Sequence, residues 1–175
     1  MMAKNRRWIQ ITIFSVVFIL LLLTIVQGVL NRDKAVTAGI AAPEFSLLGL
    51  DGKVHNLSDY NNQTVVLNFW GTFCPPCRAE MPAIQKQYDK WKGNGLIVLG
   101  VNLGEANVTA QNFADQYKLT FPILLDPKLR VRDLYKVTQY PTTFFIRNGA
   151  IQEVRIGQMD EPFLANTIDK LMKDK

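Results

Sequence analysis

Cysteine and histidine are scarce in this 175-residue chain, which has two of the first and one of the second. Two cysteines are too few for a disulfide-scaffolded fold, and a zinc site around them would need further ligands. The single histidine, His55, has no ligand partners in its segment and is expected as a lone surface imidazole. Dense basic tracts are missing too. The net charge is +5, from 20 basic and 15 acidic residues. Setting aside Lys4, Arg6 and Arg7 leaves 17 against 15, or +2. No basic stripe remains, which excludes a phosphate-binding, nucleic-acid surface. Internal repeats and low-complexity tracts are also lacking.

The composition is 48% hydrophobic, enough for a packed core and far from a disordered chain. The length suits one domain plus an appendage. From Trp8 to Leu30 there are 23 residues without a charge. A helix of that length rises about 1.5 Å per residue and reaches roughly 35 Å, enough to cross a hydrocarbon core of about 30 Å. Lys4, Arg6 and Arg7 precede it and should keep the N-terminus cytoplasmic, with everything after Asn31 outside. The competing reading is a cleaved signal peptide, but its apolar region is normally shorter and ends in small residues. Here Asn31, Arg32, Asp33 and Lys34 follow, and Val36-Thr37-Ala38 is a poor cleavage site. The expected organisation is therefore a cytoplasmic tip and transmembrane signal-anchor over 1–30, a linker over 31–41 and one domain over 42–175.

Within that domain, Phe45–Leu48 and Lys53–Leu57 flank Gly49-Leu50-Asp51-Gly52 and read as a hairpin. Thr64–Trp70 is a mostly apolar, β-rich run, as for a central buried strand. A helix is expected from Pro75 to Trp91, kinked at Pro82. A second buried strand spans Leu96–Leu103, followed by a helix capped by Asn107 and running through Tyr117. Phe121–Leu125 is a further strand and Pro127–Tyr135 a short helix. Thr142–Arg147 and Ala150–Arg155, joined by Asn148-Gly149, give the strongest hairpin signal. Asp160 caps a last helix, Glu161–Lys173, with Leu164, Ile168, Leu171 and Met172 on one face. The order implies a mixed α/β sheet with parallel and antiparallel strands, flanked by helices on both faces.

Cys74-Pro75-Pro76-Cys77 follows the buried strand and opens a helix. Unpaired amides and the helix dipole favour a negative charge there, so Cys74 is the expected attacking thiolate. Cys77, one turn in, is the resolving thiol. Neither proline has an N–H, so a thiolate at Cys74 can be met only by the amides of Cys77 and Arg78. This predicts a weakly depressed thiol pKa and a reducing pair, unless Arg78 folds back over the sulfurs. Covalent haem needs His directly after the second cysteine, and Arg78 stands there instead.

Glu80 lies one turn beyond Cys77. It could shuttle protons for the thiols, although spacing alone favours an ordinary surface glutamate. Pro141, preceded by Tyr140, could be a cis proline beside the cysteines, but cis bonds are rare on propensity alone. Trp70 and Phe73 are expected as core and rim, with the option of covering the sulfurs. The Asn-X-Ser/Thr triplets at Asn56, Asn62 and Asn107 read as chance.

Taken together, Val65–Trp70, Gly71-Thr72-Phe73-Cys74-Pro75-Pro76-Cys77, Glu80-Met81-Pro82 and Tyr140-Pro141-Thr142-Thr143-Phe144 resemble the thioredoxin superfamily. Within it the chain is similar to the membrane-tethered ResA and TlpA group of cytochrome c maturation proteins. The 64 positions from Cys77 to Pro141 suit that group's central insertion, here roughly 103–125. The resemblance implies a thioredoxin-like fold with an N-terminal β-hairpin and no cofactor beyond the redox-active Cys74–Cys77 disulfide. It also implies a cis Pro141, an active-site Glu80, and client contacts at Phe73, Pro75, Pro76 and Tyr140.

The implied activity is reduction of disulfides in client proteins. The client would be the haem-binding cysteine pair of apocytochrome c, and electrons would come from a CcdA-type membrane dithiol donor. The group usually has Glu-Pro between the cysteines and often Trp before the first, where this chain has Pro75-Pro76 and Phe73. Three rivals stand beside this reading: a sister reductase for another envelope or spore-cortex protein, a disulfide-forming oxidase, and a metallochaperone or binding module on the same fold. An oxidase would show a potential near about −120 mV, a reductant about −250 mV or lower. The metallochaperone expects a longer cysteine spacing and a histidine downstream of it.

Overall fold

The computed structural model describes residues 2–32 and 36–173. The chain divides into two compact units, Met1–Ala35 and Val36–Lys175. The first consists of helix α1, Met2–Arg32. Its side chains are described without interruption only from Gln10 to Val26. Among the described residues, no helix is long and apolar enough to cross a membrane. Both ends of the span expected at Trp8–Leu30 fall on side chains outside that described stretch.

In the second unit, the apolar strand β3 (Thr64–Trp70) is buried at every position. Its even and odd residues serve opposite faces, as a pleated strand must. Val66 and Trp70 join one core, Val65, Leu67 and Phe69 the other. The remaining elements are β1 (Ser46–Leu48), β2 (Val54–Asn56), α2 (Pro75–Trp91), β4 (Leu96–Leu103), α3 (Asn107–Tyr117), β5 (Ile123–Asp126), α4 (Arg130–Leu134), β6 (Thr142–Arg147), β7 (Ala150–Ile156) and α5 (Glu161–Lys173). Among the described residues the strands form a β1–β2 hairpin and a five-stranded sheet ordered β5-β4-β3-β6-β7. β3 runs parallel to β4 and antiparallel to β6. This is the mixed sheet expected from the order of elements.

Each face has its own helices. Met81 and Ile84 of α2, Phe113 of α3, and Leu164, Ile168, Leu171 and Met172 of α5 close one face. Val131 of α4, Tyr135 and Leu57 close the other. Tyr135 anchors that second core: its ring centroid lies 5.0 Å from Phe144 and 5.4 Å from Phe69, and its hydroxyl donates to the Pro43 carbonyl at 2.7 Å. Burial pushes its phenol strongly upward in pKa. The segment 103–125, expected as an insertion, supplies α3 and most of edge strand β5. The first hairpin covers that edge, with Leu50 N–H donating to the Ile123 carbonyl at 2.9 Å.

Several boundaries differ from expectation for local reasons. Asn107 is the first residue of α3 rather than its cap; Ala106 precedes it and no side chain caps the helix. β5 starts at Ile123 because Pro122 has no N–H to give a ladder. α4 is shorter than Pro127–Tyr135 because Leu129 takes a left-handed φ of 56°. The Asp126 carboxylate then caps α4, accepting from the amides of Arg130 and Arg132, each at 2.9 Å. The expected linker does not reach residue 41: Gly39 N–H donates to Ile151 O at 2.8 Å, and Ala41 bridges Ala150.

His55 is not a surface imidazole. It is buried, with Nδ1 2.6 Å from the Tyr60 hydroxyl and Nε2 3.2 Å from Asp51 Oδ1. The later hairpin matches its signal. Asn148 and Gly149, at φ 50° and 71°, form the two-residue turn between Arg147 and Ala150, the geometry an Asn-Gly pair accepts most readily.

Candidate active site: a helix-capping disulfide and a buried carboxylate

β3 delivers the chain to Gly71, and three loop residues later Cys74 becomes the N-cap of α2. Cys74 and Cys77 are joined by a disulfide, with 5.3 Å between their Cα atoms. Cys74 is 6% exposed and Cys77 fully buried, so a second chain can approach only the first sulfur. Cys77 N–H points at Cys74 Sγ at 3.3 Å. Arg78 N–H, the other expected donor, is used at 3.1 Å by the Cys74 carbonyl. The sulfur therefore has one amide where the sequence allowed two. Nor does Arg78 fold back over the sulfurs: its Nε lies 3.5 Å from the Tyr117 hydroxyl on α3.

One turn beyond Cys77 on α2, Glu80 is 1% exposed, not the surface glutamate that spacing alone favours. Its Oε1 accepts from Asn68 Nδ2 at 2.8 Å and its Oε2 from Met159 N–H at 2.9 Å. Burial pushes its pKa up from 4.5 to about 7, against the opposing pull of those two hydrogen bonds. Such a group exchanges a proton readily near neutral pH. Asn68 Nδ2 also reaches Thr143 Oγ1 at 2.9 Å. Asn68 on β3 and Thr143 on β6 are register partners, so the carboxylate is held by central strands as well as by the Met159 loop.

The Tyr140–Pro141 bond is cis. Pro141 is buried, and its carbonyl accepts from Gly157 N–H at 2.8 Å. Tyr140 packs against the core that contains both cysteines, and its ring meets Phe73 edge-on at 6.2 Å. Phe73 is 60% exposed and forms the rim, while Trp70 is fully buried beneath. Gly71 leaves room for the Phe73 ring, which a Cβ there would push aside. Pro75 and Pro76 occupy the first two positions of α2. The structure thus brings together Phe73, Cys74, Pro75, Pro76, Cys77, Glu80, Tyr140 and the cis Pro141 loop. Among the described residues, no group of three or more His, Cys, Asp or Glu is placed to hold a metal ion.

Asn68 and Thr143 stand in the resembling motifs without a role of their own, and Met159 and Glu105 lie outside them. Glu105, in the loop after β4, accepts from Thr72 N–H at 2.8 Å and from Asn102 Nδ2 at 2.7 Å, and also takes the Thr72 hydroxyl. An Asn inside an otherwise apolar strand was the one available hint of a polar partner at Asn68. The Tyr140–Phe144 motif gave no polar role to Thr143, and nothing marked Met159 or Glu105.

A helix-capping cysteine pair, a cis proline and a mixed sheet define a thioredoxin-like thiol-disulfide oxidoreductase. The chain belongs to the AhpC/TSA family, which it matches over residues 38–154. It is similar to the thiol-disulfide oxidoreductase ResA of Geobacillus kaustophilus, at 36% identity over 97% of this chain and 99% of that protein. The ResA of Bacillus subtilis is 37% identical over 94% of this chain and 92% of its own length. Among solved structures, a thiol:disulfide interchange protein DsbE from Chlorobium tepidum matches 79% of this chain and 99% of its own, at 34% identity and a TM-score of 0.74. StoA from Bacillus subtilis matches 73% of this chain and 98% of its own, at 30% identity and a TM-score of 0.64.

Proposed function

We propose that this protein is an extracytoplasmic reductase, anchored by Trp8–Leu30, that reduces the haem-binding cysteine pair of apocytochrome c. The observation that carries the reading is the pairing of a barely exposed Cys74 with a sealed Cys77, followed one turn later on the same helix by a buried carboxylate. The near full-length similarity to ResA proteins supports it, since that match spans 97% of the chain. Placement outside the membrane follows from the positive residues ahead of the apolar run.

In the reaction, the Cys74 thiolate attacks one sulfur of the client disulfide. A Cys74–client bond forms as the client bond breaks, and the departing client sulfur takes up a proton. Cys77 gives its proton to Glu80 and attacks Cys74 Sγ. The Cys74–client bond breaks, the departing client sulfur takes the proton from Glu80, and the client leaves as a dithiol while the protein holds the Cys74–Cys77 disulfide. Two electrons from a CcdA-type membrane dithiol donor reset the pair. Phe73, Tyr140 and the Pro141 loop seat the client chain beside Cys74, with Pro75 and Pro76 shaping the approach.

The test is trapping. With Cys77→Ala in the native membrane, the reading expects apocytochromes disulfide-linked to Cys74. Recovery of envelope or spore-cortex enzymes alone would assign the same chemistry to a sister pathway.

A further inference from the structure

We infer that Glu105 is a positioning residue for disulfide exchange, fixing the loop that carries Phe73 and Cys74. That loop, Gly71–Phe73, joins the end of β3 to the cap of α2. Its own turn supplies one bond, Cys74 N–H to Gly71 O at 3.2 Å. The grip from outside comes from Glu105, which takes both the amide and the hydroxyl of Thr72. The carboxylate is itself tied to the sheet. Asn102 Nδ2 donates to it at 2.7 Å, and Asn102 is a fully buried β4 residue in register with Trp70. Gly104 N–H, next in the chain, is held by Asp126 O at 3.2 Å. One carboxylate thus links β4 to the residue two positions before the reactive cysteine.

Among the described residues Glu105 bonds Thr72 and Asn102 and neither sulfur, so its influence runs through Thr72. Exchange needs three sulfurs in line, and small displacements of a positioned group cost large factors in rate. Geometry separates this role from one of charge. A glutamine can place its amide oxygen where Oε2 accepts from Thr72 and Asn102, and its NH2 where Oε1 meets the Thr72 hydroxyl. All three contacts then survive without the negative charge. Alanine removes all three and leaves Asn102, whose Oδ1 already has no partner, with no hydrogen bond from its side chain.

The experiment uses the reduced full-length chain in detergent micelles at neutral pH, with an oxidised Cys-X-X-Cys peptide as client. Glu105→Ala should lower the second-order exchange rate about tenfold, whereas Glu105→Gln stays within about twofold of wild type. Alkylation of Cys74 by iodoacetamide, which demands no in-line seating of a chain, should be unchanged in both. Continued protection of Cys77 from the same reagent shows that the fold is intact. If Glu105→Ala does not fold, Thr72→Val, which deletes the hydroxyl contact alone, should still slow peptide exchange while sparing alkylation. Wild-type exchange in Glu105→Ala, or in Thr72→Val where that variant replaces it, overturns the inference. So does an equal loss in Glu105→Gln, which would make the charge responsible.

Discussion

Asn68 Nδ2 lies 2.8 Å from Glu80 Oε1, and both side chains are 1% exposed. This contact binds the cysteine-bearing helix to the central strand, one turn beyond Cys77. On its other side Glu80 is held by Met159, in the same loop whose Gly157 supports the cis Pro141 carbonyl. The carboxylate therefore sits between the two halves of the site.

Its titration should appear as a pH-dependent stability. The folded pKa, about 7, is raised above the ordinary 4.5, so the fold favours the protonated acid. The associated stability is fully present below about pH 4.5 and lost as pH rises through about 7. At 1.36 kcal/mol per pKa unit, the loss is on the order of 3 kcal/mol. Denaturant unfolding of the oxidised protein should show wild type losing ground to Glu80→Gln over that window. A difference between the two that is flat with pH contradicts the assignment.

The same residue should set the thiol chemistry. An ionised Glu80 beside the reduced pair raises the cost of a thiolate. In Glu80→Gln the thiol titration should move to lower pH and the release of client by Cys77 should slow. Absorbance titration of the reduced protein and single-turnover exchange measure the two effects. Unchanged titration and rate would remove Glu80 from the reaction.

Cys74 Sγ receives one amide because Pro76 carries no N–H at the second helical position. Pro76→Ala restores a donor there. A hydrogen bond to a charged acceptor contributes about 1.5 kcal/mol or more, so the Cys74 pKa should fall by about one unit. The pair should become more oxidising, as equilibration with glutathione would register. An unchanged pKa contradicts this view of the proline pair.

Phe73 and Tyr140 form an edge-on aromatic rim beside Cys74. Truncating either to Ala should raise KM for a peptide client roughly fivefold, the effect of losing about 1 kcal/mol of aromatic contact. Exchange with a small disulfide such as oxidised glutathione should hardly change. Equal losses for both substrates would mean that the rim supports the fold rather than the client.

His55 supplies the matching control. Removing it takes a buried ring and its hydrogen bond to the Tyr60 hydroxyl out of the structure, at a cost of about 1–3 kcal/mol. His55→Ala should lower the melting temperature while leaving the exchange rate of the folded protein unchanged. A slowed exchange would place the hairpin in the site.

The β3 and β4 boundaries, α2 and the Asn148-Gly149 hairpin were legible because continuous apolar runs and turn residues carry local signals. The cysteine pair was legible because its spacing and its junction position are both local. Glu80 was visible as a candidate but not as buried, because its burial comes from tertiary packing: Asn68 of β3 lies 12 positions back and Met159 79 positions on. Glu105 left no mark, since its partner Thr72 lies 33 residues earlier and only the sheet brings them together. His55 was misjudged for the same reason at shorter range: the tight hairpin folds Asp51 and Tyr60 around it.

The central claim is that Cys74, and not Cys77, makes the first bond to a client sulfur. It is tested by comparing Cys77→Ser with Cys74→Ser, both reduced, in mixed-disulfide formation with an oxidised Cys-X-X-Cys peptide. Cys77→Ser should couple to the peptide rapidly, and Cys74→Ser at least about a hundredfold more slowly, because its remaining thiol is buried and lacks the helix-capping position. Equal rates, or faster coupling through Cys77, would contradict the account.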